Sequence, residues 1–172
     1  MLRVLRIDRQ HPLYPQEIDL RERVLLRPIG YTIQRFQKDW AGVEERFEHF
    51  IAIAPNPKGE RVVGTVCLLP PDPTTGPTAS AGSPAGGRNT STCGKLMQMA
   101  VDPQRQREGI GRLLMAALER RAFGELGLTE LYCHARDDAM PFYLAMGWQA
   151  DGEGFEEAGI PHHRMVFRPD WG

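Results

Sequence analysis

The sequence predicts a mixed α/β fold with helices on both faces of a mixed sheet. In the first half, the apolar stretches 47–54 and 61–69 are separated by the turn-forming residues 55–59, which predicts an antiparallel hairpin. In the second half, strands and helices alternate from the strand 96–101 onwards. A hairpin followed by such alternation is typical of a mixed sheet covered by helices.

Before the hairpin, a short first strand is predicted over residues 4–7. A helix is predicted over 17–26, because its apolar side chains recur at helical spacing between charged ones. Pro28 and Gly30 then end this helix.

Residues 70–94 carry few large apolar side chains and many Pro, Gly, Ser and Thr. Such a segment buries too little surface to offset its ordering entropy, so we expect a flexible insertion between two strands; a functional lid is the alternative. The length of 172 residues suits one domain, 1–172, that includes this insertion.

The second half contains the clearest helix, which runs to about Leu126 and stops at Gly127. One apolar stripe defines it: Ile110, Leu113, Leu114, Ala117 and Leu118. The elements predicted after it are a strand over 128–135, a helix over 139–146, a strand over 148–151 and a last strand over 163–167.

Charge and cysteine content exclude several classes of function. The net charge is −1, with 21 basic and 22 acidic residues well mixed, so there is no field to attract a nucleic acid. The three cysteines are far apart without metal-ligand spacing, which indicates reduced thiols in a cytosolic protein. No secretory signal or apolar membrane segment is present in the sequence, so we expect a cytoplasmic protein that has no membrane partner.

A glycine-containing turn, "QRQREGIG" at 104–111, joins the strand that ends at Pro103 to the clearest helix. The unpaired N–H groups and the positive dipole end of a helix form an anion site. Gly109 and Gly111 let the backbone approach a phosphate or a neighbouring strand closely. A dinucleotide fingerprint would need glycine where Leu114 stands, and a P-loop ending at 94–95 would need glycine at 89 and Ser or Thr at 96.

The motif around this turn resembles that of a known family. The run 99–111, with Gln106 completing [Q/R]-x-x-G-x-G, is similar to the coenzyme A motif of the GNAT superfamily of N-acetyltransferases. The run 141–148, "PFYLAMGW", resembles its "FYEKLGF" element, and 155–165 resembles the tail of its ElaA/YjcF-like branch. The stretch 20–24, "LRERV", resembles the "VREEVF" stretch of that branch.

The resemblance implies a three-layer fold with a mostly antiparallel sheet of six or seven strands. Two central parallel strands, ending at Val101 and at His134, would splay apart and leave backbone groups for the amides of pantetheine. The pyrophosphate would rest on the turn. The coenzyme residues implied are Met99, Ala100, Val101, Gln106, Arg107, Glu108, Gly109, Ile110, Gly111 and Arg112.

The activity implied is transfer of an acetyl group from acetyl-CoA to a primary amine, directly within a ternary complex and without a metal. Tyr143 matches the position of the general acid of the family, which protonates the departing thiolate. The general base stays open among His134, Glu156, Glu157 and the pair His162–His163. Adjacent histidines of a strand point to opposite faces, so this pair cannot jointly bind a metal.

Some features depart from the family pattern. Arg136 replaces the usual amide residue, and with the long insertion it motivates a second hypothesis, a non-catalytic acyl-CoA sensor or partner-binding module. A third, a general nucleotide-binding domain, is disfavoured by the absent phosphate motifs. The sequence does not identify the amine, which could be a small molecule or a peptide. The oligomeric state also stays open, and a homodimer could form through the sheet edge after residue 163.

Overall fold

The structure, a computed structural model, describes residues 1–72 and 92–169. In these two ranges it contains eight strands and four α-helices. The strands are β1 (Arg3–Ile7), β2 (Glu48–Asn56), β3 (Gly59–Leu69), β4 (Cys93–Val101), β5 (Glu130–Arg136), β6 (Gln149–Ala150), β7 (Phe155–Glu157) and β8 (Ile160–Phe167). The helices are α1 (Tyr14–Arg21), α2 (Ile33–Asp39), α3 (Ile110–Glu119) and α4 (Met140–Ala145).

The strands pair in the order β1-β2-β3-β4-β5-β8-β6, and β7 also pairs with β8. β4 and β5 are parallel, whereas β1–β2, β2–β3, β5–β8, β6–β8 and β7–β8 are antiparallel. This confirms the predicted mixed α/β class, with a mostly antiparallel sheet and a central parallel pair. The described part of the sheet has eight strands instead of six or seven, because the short strands β6 and β7 both add to β8.

One compact unit combines Met1–Leu69 with Leu96–Arg121. It contains the hairpin of β2 and β3, which confirms the prediction for that part of the sequence, and helices α1 and α3 pack against β3. Two apolar clusters form its core. The first is built from Ile7, Leu20, Ile51, Ile53, Val62 and Ala100, and the second from Leu26, Ile33, Phe36, Phe47, Cys67 and Met97.

A second compact unit combines Pro70–Lys95 with Ala122–Gly172. Strand β5 pairs along most of its length with β8, and α4 contacts β8. The ring of Trp148 lies between two other aromatic rings, with centroids 5.2 Å from Tyr143 and 5.8 Å from Phe167. The prediction of a single domain over 1–172 stays a prediction.

The insertion predicted at 70–94 lies mostly outside the described residues. Strand β4 begins at Cys93 and so includes the last two residues of the predicted insertion. The strand begins earlier than predicted because Cys93 and Gly94 pair with Glu130 and Leu131 of β5, which are distant in sequence.

The helices differ from the predictions mainly at their ends. α1 begins at Tyr14, with Pro15 in its first turn, and continues through a π-helical turn and a 3₁₀ turn to Gly30, whose φ of 79° ends it. α2 was not predicted, although the Thr32 hydroxyl that accepts from the Arg35 N–H is a recognisable start signal. Within the described ranges, no helix combines the length and apolar composition that crossing a membrane requires.

Helix α3 confirms the apolar stripe with one exception. Ile110, Leu114 and Leu118 are buried, whereas Leu113 is 43% exposed. The helix ends at Glu119, and a π-helical turn continues to Glu125.

Gly64 on β3 sets how closely α3 approaches the sheet. A Cβ at this position would lie 2.6 Å from Cγ2 of Ile110 and 3.0 Å from Cδ1 of Leu114. Both atoms belong to fully buried side chains, so neither can move freely. The absence of a side chain at Gly64 therefore seats the first turn of α3 directly on β3.

A charged cluster lies in the core of the first unit, beneath α1. Arg21 is fully buried, and its Nη1 lies 3.4 Å from Oε1 of Glu17 and 3.8 Å from Oε1 of Glu44. The same Glu17 oxygen accepts from Nδ1–H of His49 at 3.1 Å and from the Thr65 hydroxyl at 3.2 Å. Because buried charges are tolerated only when paired and hydrogen-bonded, these groups constrain one another.

The Glu17 carboxylate is held in its ionised form. Burial by itself raises the pKa of Glu17, but the hydrogen bond from His49 and the charge of Arg21 outweigh it, so the net pKa lies below the usual range. Glu44 also pairs with Arg9. The cluster links α1 to the segment before β2 and to β3.

We predict that Glu17→Gln lowers the free energy of unfolding at pH 7 by about 3–5 kcal/mol, because it leaves the buried Arg21 poorly compensated. The folded-state pKa of Glu17 is lower than that of the unfolded chain, so its stabilisation is present above the unfolded pKa and disappears as pH falls through the folded pKa. Urea unfolding from pH 7 to pH 3 should therefore show a shallower acid dependence in Glu17→Gln than in wild type. Glu45→Gln, at an exposed neighbouring position, is the control.

We also predict that Gly64→Ala lowers the free energy of unfolding by about 1–3 kcal/mol, because the added methyl group overpacks the contact with Ile110 and Leu114. Gly124→Ala is the matched control. A Cβ at Gly124 meets no atom within 4 Å, and alanine is the better helix former there. Denaturant titration of both variants checks this, and equal stabilities would contradict the role given to Gly64.

Candidate functional site

The turn after β4 is held by Asp102, which is almost fully buried. Its N–H donates to the Val63 carbonyl at 2.9 Å, and its Oδ1 accepts from the Gln104 N–H at 3.0 Å. Its Oδ2 accepts from Nη2 of Arg61 at 3.0 Å. Three hydrogen bonds from one residue thus fix the direction in which the chain leaves the strand.

The predicted pyrophosphate turn contains two residues in the left-handed region. Arg107 has φ of 65° and Gly109, the N-cap of α3, has φ of 79°. A non-glycine residue with positive φ is uncommon, and alternating conformations of this kind turn successive N–H groups towards one side. The first intrahelical bond runs from the Leu113 N–H to the Gly109 carbonyl, so the N–H groups of Ile110 and Gly111 precede the helical ladder.

Most of the predicted turn residues are accessible. Gln106, Arg107, Glu108, Gly109 and Arg112 are exposed, Gly111 is half-buried and Ile110 is buried in the core. The Ile110 side chain is therefore not available to a ligand. The Glu108 carboxylate is held by Arg105, whose Nε and Nη2 donate at 2.6 and 3.0 Å. Since a carboxylate repels phosphate, Glu108 offers its N–H group and not its side chain.

The predicted pantetheine strand, residues 99–101, follows an irregularity in β4. Gln98 has φ of 53°, and its Oε1 accepts from Nε of Arg21 at 3.3 Å. Parallel pairing joins Cys93–Lys95 to β5, so the register with β5 ends before this point. No sequence pattern signals this irregularity at Gln98, because a positive φ at a polar residue within a strand is not marked by a characteristic residue type.

Tyr143, the predicted catalytic residue, lies on α4 with 5% exposure. Its hydroxyl and the Cys133 thiol are hydrogen-bonding partners. Burial, and then the nearby Cys133, raises the pKa of Tyr143 well above its usual value, and burial raises the pKa of Cys133 to about 12. Both groups therefore carry their protons at neutral pH. The sequence contains one signal for the contact between Cys133 and Tyr143. Side chains alternate along a strand, so Cys133 points to the face opposite His134.

The candidate bases separate into two pairs. Nδ1 of His134 lies 3.2 Å from Oε1 of Glu157, and Nδ1 of His163 lies 2.7 Å from Oδ1 of Asp137. The hydrogen bond with His134 lowers the pKa of Glu157, against the opposing effect of partial burial. Glu156 is exposed and adjacent in sequence to Glu157, so its side chain points to the other face of β7.

Arg136 ends β5 and precedes a 3₁₀ turn over Asp137–Ala139. It is half-buried, and its Nε is a buried donor that has no hydrogen-bond partner among the described residues. The charge that replaces the usual amide residue is therefore partly withdrawn from water. No catalytic role follows from this position.

Glu17, His49 and Cys67 bring three potential metal-ligand atoms within 4.8 Å of one another. The Glu17 oxygen already accepts from Thr65, and Arg21 stands 3.4 Å from it. A metal cation would be repelled by this guanidinium, so the cluster is better described as a hydrogen-bond network. The expected absence of a metal stays a prediction.

Comparison with known proteins places these features in a family. The sequence model of the acetyltransferase (GNAT) domain matches residues 77–169. The uncharacterized N-acetyltransferase YjcF of Bacillus subtilis is 35% identical over 74 residues, which are 42% of this chain and 52% of that protein. The chain spans about half the length of the curated relatives it matches.

Solved structures share the fold at low sequence identity. An acyl-CoA N-acyltransferase from Pseudomonas aeruginosa superposes with a TM-score of 0.71 at 17% identity, over 96% of this chain and 99% of that one. A GNAT family acetyltransferase from Elizabethkingia anophelis with acetyl-CoA bound gives 0.64 at 14% identity, over 97% of each chain. Because the family model covers more than half of the 172 residues, the chain belongs to the GNAT acetyltransferase family.

Proposed function

We propose that this protein is an N-acetyltransferase that moves the acetyl group from acetyl-CoA to a primary amine by direct transfer within a ternary complex. The observation that carries the proposal is the turn before α3, where Arg107 and Gly109 have positive φ and the first N–H groups of the helix lack intrahelical acceptors. A diphosphate fits this arrangement, because it carries negative charge and only accepts hydrogen bonds.

Exposed cations strengthen this anion site. Arg107 and Arg112 flank the glycines and are exposed, so their guanidinium groups can reach a phosphate. We assign the backbone of Met99, Ala100 and Val101 to the pantetheine amides, because their pairing with β5 has already ended at Lys95.

The transfer forms a C–N bond and breaks the C–S bond, whose electron pair leaves on sulfur. Tyr143 is assigned to that sulfur. A thiol is a stronger acid than a phenol, and burial raises the pKa of Tyr143 further, so the hydroxyl serves best as a hydrogen-bond donor to the developing thiolate. To do so, the Tyr143 hydroxyl would leave its hydrogen bond with the Cys133 thiol and donate to the sulfur of the coenzyme. The CoA thiolate then takes a proton from solvent as it is released.

The remaining parts of the proposal rest on the sequence and not on the contacts described above. The amine is a small molecule or a peptide, and the protein acts in the cytoplasm without nucleic acid, membrane or metal. A non-catalytic acyl-CoA sensor is the second candidate, which the buried charge of Arg136 at the usual amide position favours. This sensor would bind the coenzyme without turnover.

We predict that CoA and acetyl-CoA raise the melting temperature of the protein, because a ligand that binds only the folded state stabilises it by about 2.7 kcal/mol at 100 times its dissociation constant. Tyr143→Phe should keep this shift and lose roughly 10- to 100-fold in kcat, since one hydrogen bond to the leaving sulfur is removed. CoA release is measured with a panel of primary amines.

Tyr31→Phe is the matched control, because its ring packs against Arg35 in the other unit. It should retain the wild-type kcat. A thermal shift without turnover on any amine would favour the sensor, and the absence of a shift would contradict coenzyme binding.

We further predict that Arg107→Glu combined with Arg112→Glu weakens CoA binding by roughly 10²- to 10⁴-fold, since charge-assisted hydrogen bonds contribute about 1.5–3 kcal/mol each. Arg120→Glu makes the same charge change per position at the far, exposed end of α3, half that of the double variant, and should have little effect. Isothermal titration with CoA at two salt concentrations checks this. Equal affinities in the two proteins would place the phosphates elsewhere.

A further inference from the structure

The proposed transfer requires a base, because a primary amine is an ammonium ion at neutral pH and attacks a thioester only after losing a proton. We propose that His134 is this general base and that Glu157 is the residue that positions it. The inference rests on the proposed function and adds the proton acceptor that the function leaves unassigned.

The hydrogen bond between the two side chains determines the tautomer of His134. The Glu157 carboxylate is ionised, because His134 lowers its pKa, and an ionised carboxylate only accepts hydrogen bonds. Nδ1 of His134 must therefore carry the hydrogen that it donates to Oε1 at 3.2 Å. In the neutral imidazole, Nε2 then holds the lone pair that can take a proton.

The second ring nitrogen is available to a substrate. Among the described residues, no hydrogen bond engages Nε2 of His134, and its side chain is 29% exposed. The ring of Phe155 meets the imidazole edge to face, with centroids 5.1 Å apart. This contact and the Glu157 carboxylate restrict the orientation of the imidazole, whereas Nε2 remains accessible.

The other histidines of the second unit are less suited. His162 is buried, and its Nδ1 donates to the Ile160 carbonyl at 2.7 Å, while its Nε2 lies 3.7 Å from Oε2 of Glu157. His163 pairs with Asp137 and follows His162 in an extended strand, so it points to the opposite face of β8. His163 also has a carboxylate partner and a partly exposed side chain, but its register opposite Ala135 places it on the face of Cys133. On the opposite face, His134 and not His162 combines a positioning carboxylate with an accessible Nε2.

The position of His134 within β5 agrees with the geometry of the reaction. Cys133 and His134 are consecutive in an extended strand, so their side chains point to opposite faces. Tyr143 is hydrogen-bonded to Cys133 on one face, and Glu157 is hydrogen-bonded to His134 on the other. In a tetrahedral intermediate, the nucleophile and the leaving group occupy different sides of the reacting carbon. The assigned proton acceptor and the assigned hydrogen-bond donor to sulfur likewise lie on different sides, one on each face of β5.

The titratable groups that face His134 include cations, neutral groups and an anion. They come from Glu157 on β7, from His162 and Arg164 on β8, from Tyr132 on β5 and from Lys95 on β4. Glu157 is the one anionic group in this set, and it is directly bonded to the imidazole. The carboxylate therefore stabilises the protonated imidazole after it has accepted a proton.

The protons and electrons of the transfer balance with these assignments. The ammonium group loses one proton to Nε2 of His134, and the neutral nitrogen forms the C–N bond. The C–S electron pair leaves on sulfur, which takes a proton, and the second nitrogen proton leaves as the amide forms. The products are the N-acetyl amine, CoA thiol and one proton, which His134 passes to solvent.

The experiment uses the full chain with acetyl-CoA and the amine that gives the highest turnover among spermidine, an amino sugar and a short peptide with a free N-terminus. We expect His134→Ala to lower kcat/KM by about 10²- to 10³-fold, which is the usual contribution of a general base. Added imidazole should restore part of the rate. His163→Ala, which removes the other histidine paired with a carboxylate, is the matched control and should retain activity within about threefold and show no rescue.

Glu157 is tested separately as a positioning residue. In Glu157→Gln the amide oxygen can still accept from Nδ1–H, so the orientation survives while the negative charge is lost. The acid limb of the kcat/KM profile should move to lower pH, because the neutral amide no longer stabilises the protonated imidazole. Glu157→Ala should lower kcat/KM further than Glu157→Gln. A purely structural role would change the melting temperature and leave the profile in place.

The outcomes distinguish this inference from the proposed function. If wild type turns over an amine and His134→Ala keeps its rate and pH profile, His134 is not the base and the acetyltransferase assignment stands. If His134→Ala loses activity without rescue by imidazole and Glu157→Gln leaves the acid limb unmoved, the inference is also overturned. If wild type acetylates none of the amines, the proposed function fails and this inference fails with it.

Discussion

The buried guanidinium of Arg21 is the constraint on which the first unit depends. A charge that has left water completely must be met by carboxylates and hydrogen-bond acceptors, and Glu17 and Glu44 provide the carboxylates. Their positions join α1 to the segment before β2. The same guanidinium donates to Gln98, so it also reaches β4 where that strand departs from extended geometry. One buried charge thus connects the core to the strand that leads into the candidate site.

The strand segment assigned to the coenzyme is held at both ends. On one side, Gln98 is bonded to Arg21, and on the other, Asp102 is bonded to Arg61 and to the backbone of β3. Gly64 then allows the first turn of α3 to lie directly on β3. A binding segment between two fixed points is pre-organised, so little conformational entropy would be lost when a ligand pairs with it.

Strand β5 presents its consecutive residues to two different contacts. Its residues point in turn to α4, where Tyr143 meets Cys133, and to β7, where Glu157 meets His134. The two contacts differ in character. The first is buried and keeps both protons in place, whereas the second is partly exposed and leaves a lone pair accessible. In the proposed mechanism, the first contact supplies the hydrogen-bond donor to sulfur and the second supplies the acceptor for a proton of the amine.

Elements whose signals are local could be predicted from the sequence. The hairpin, the strand before the glycine turn and α3 were predicted because apolar periodicity and turn residues act over a few positions, and the motif around Gly109 identified the family. Tertiary packing sets the positive φ of Gln98, the burial of Tyr143 against Cys133 and the pairing of His134 with Glu157. These depend on residues far apart in sequence, brought together by strand register and helix packing, which no local pattern encodes.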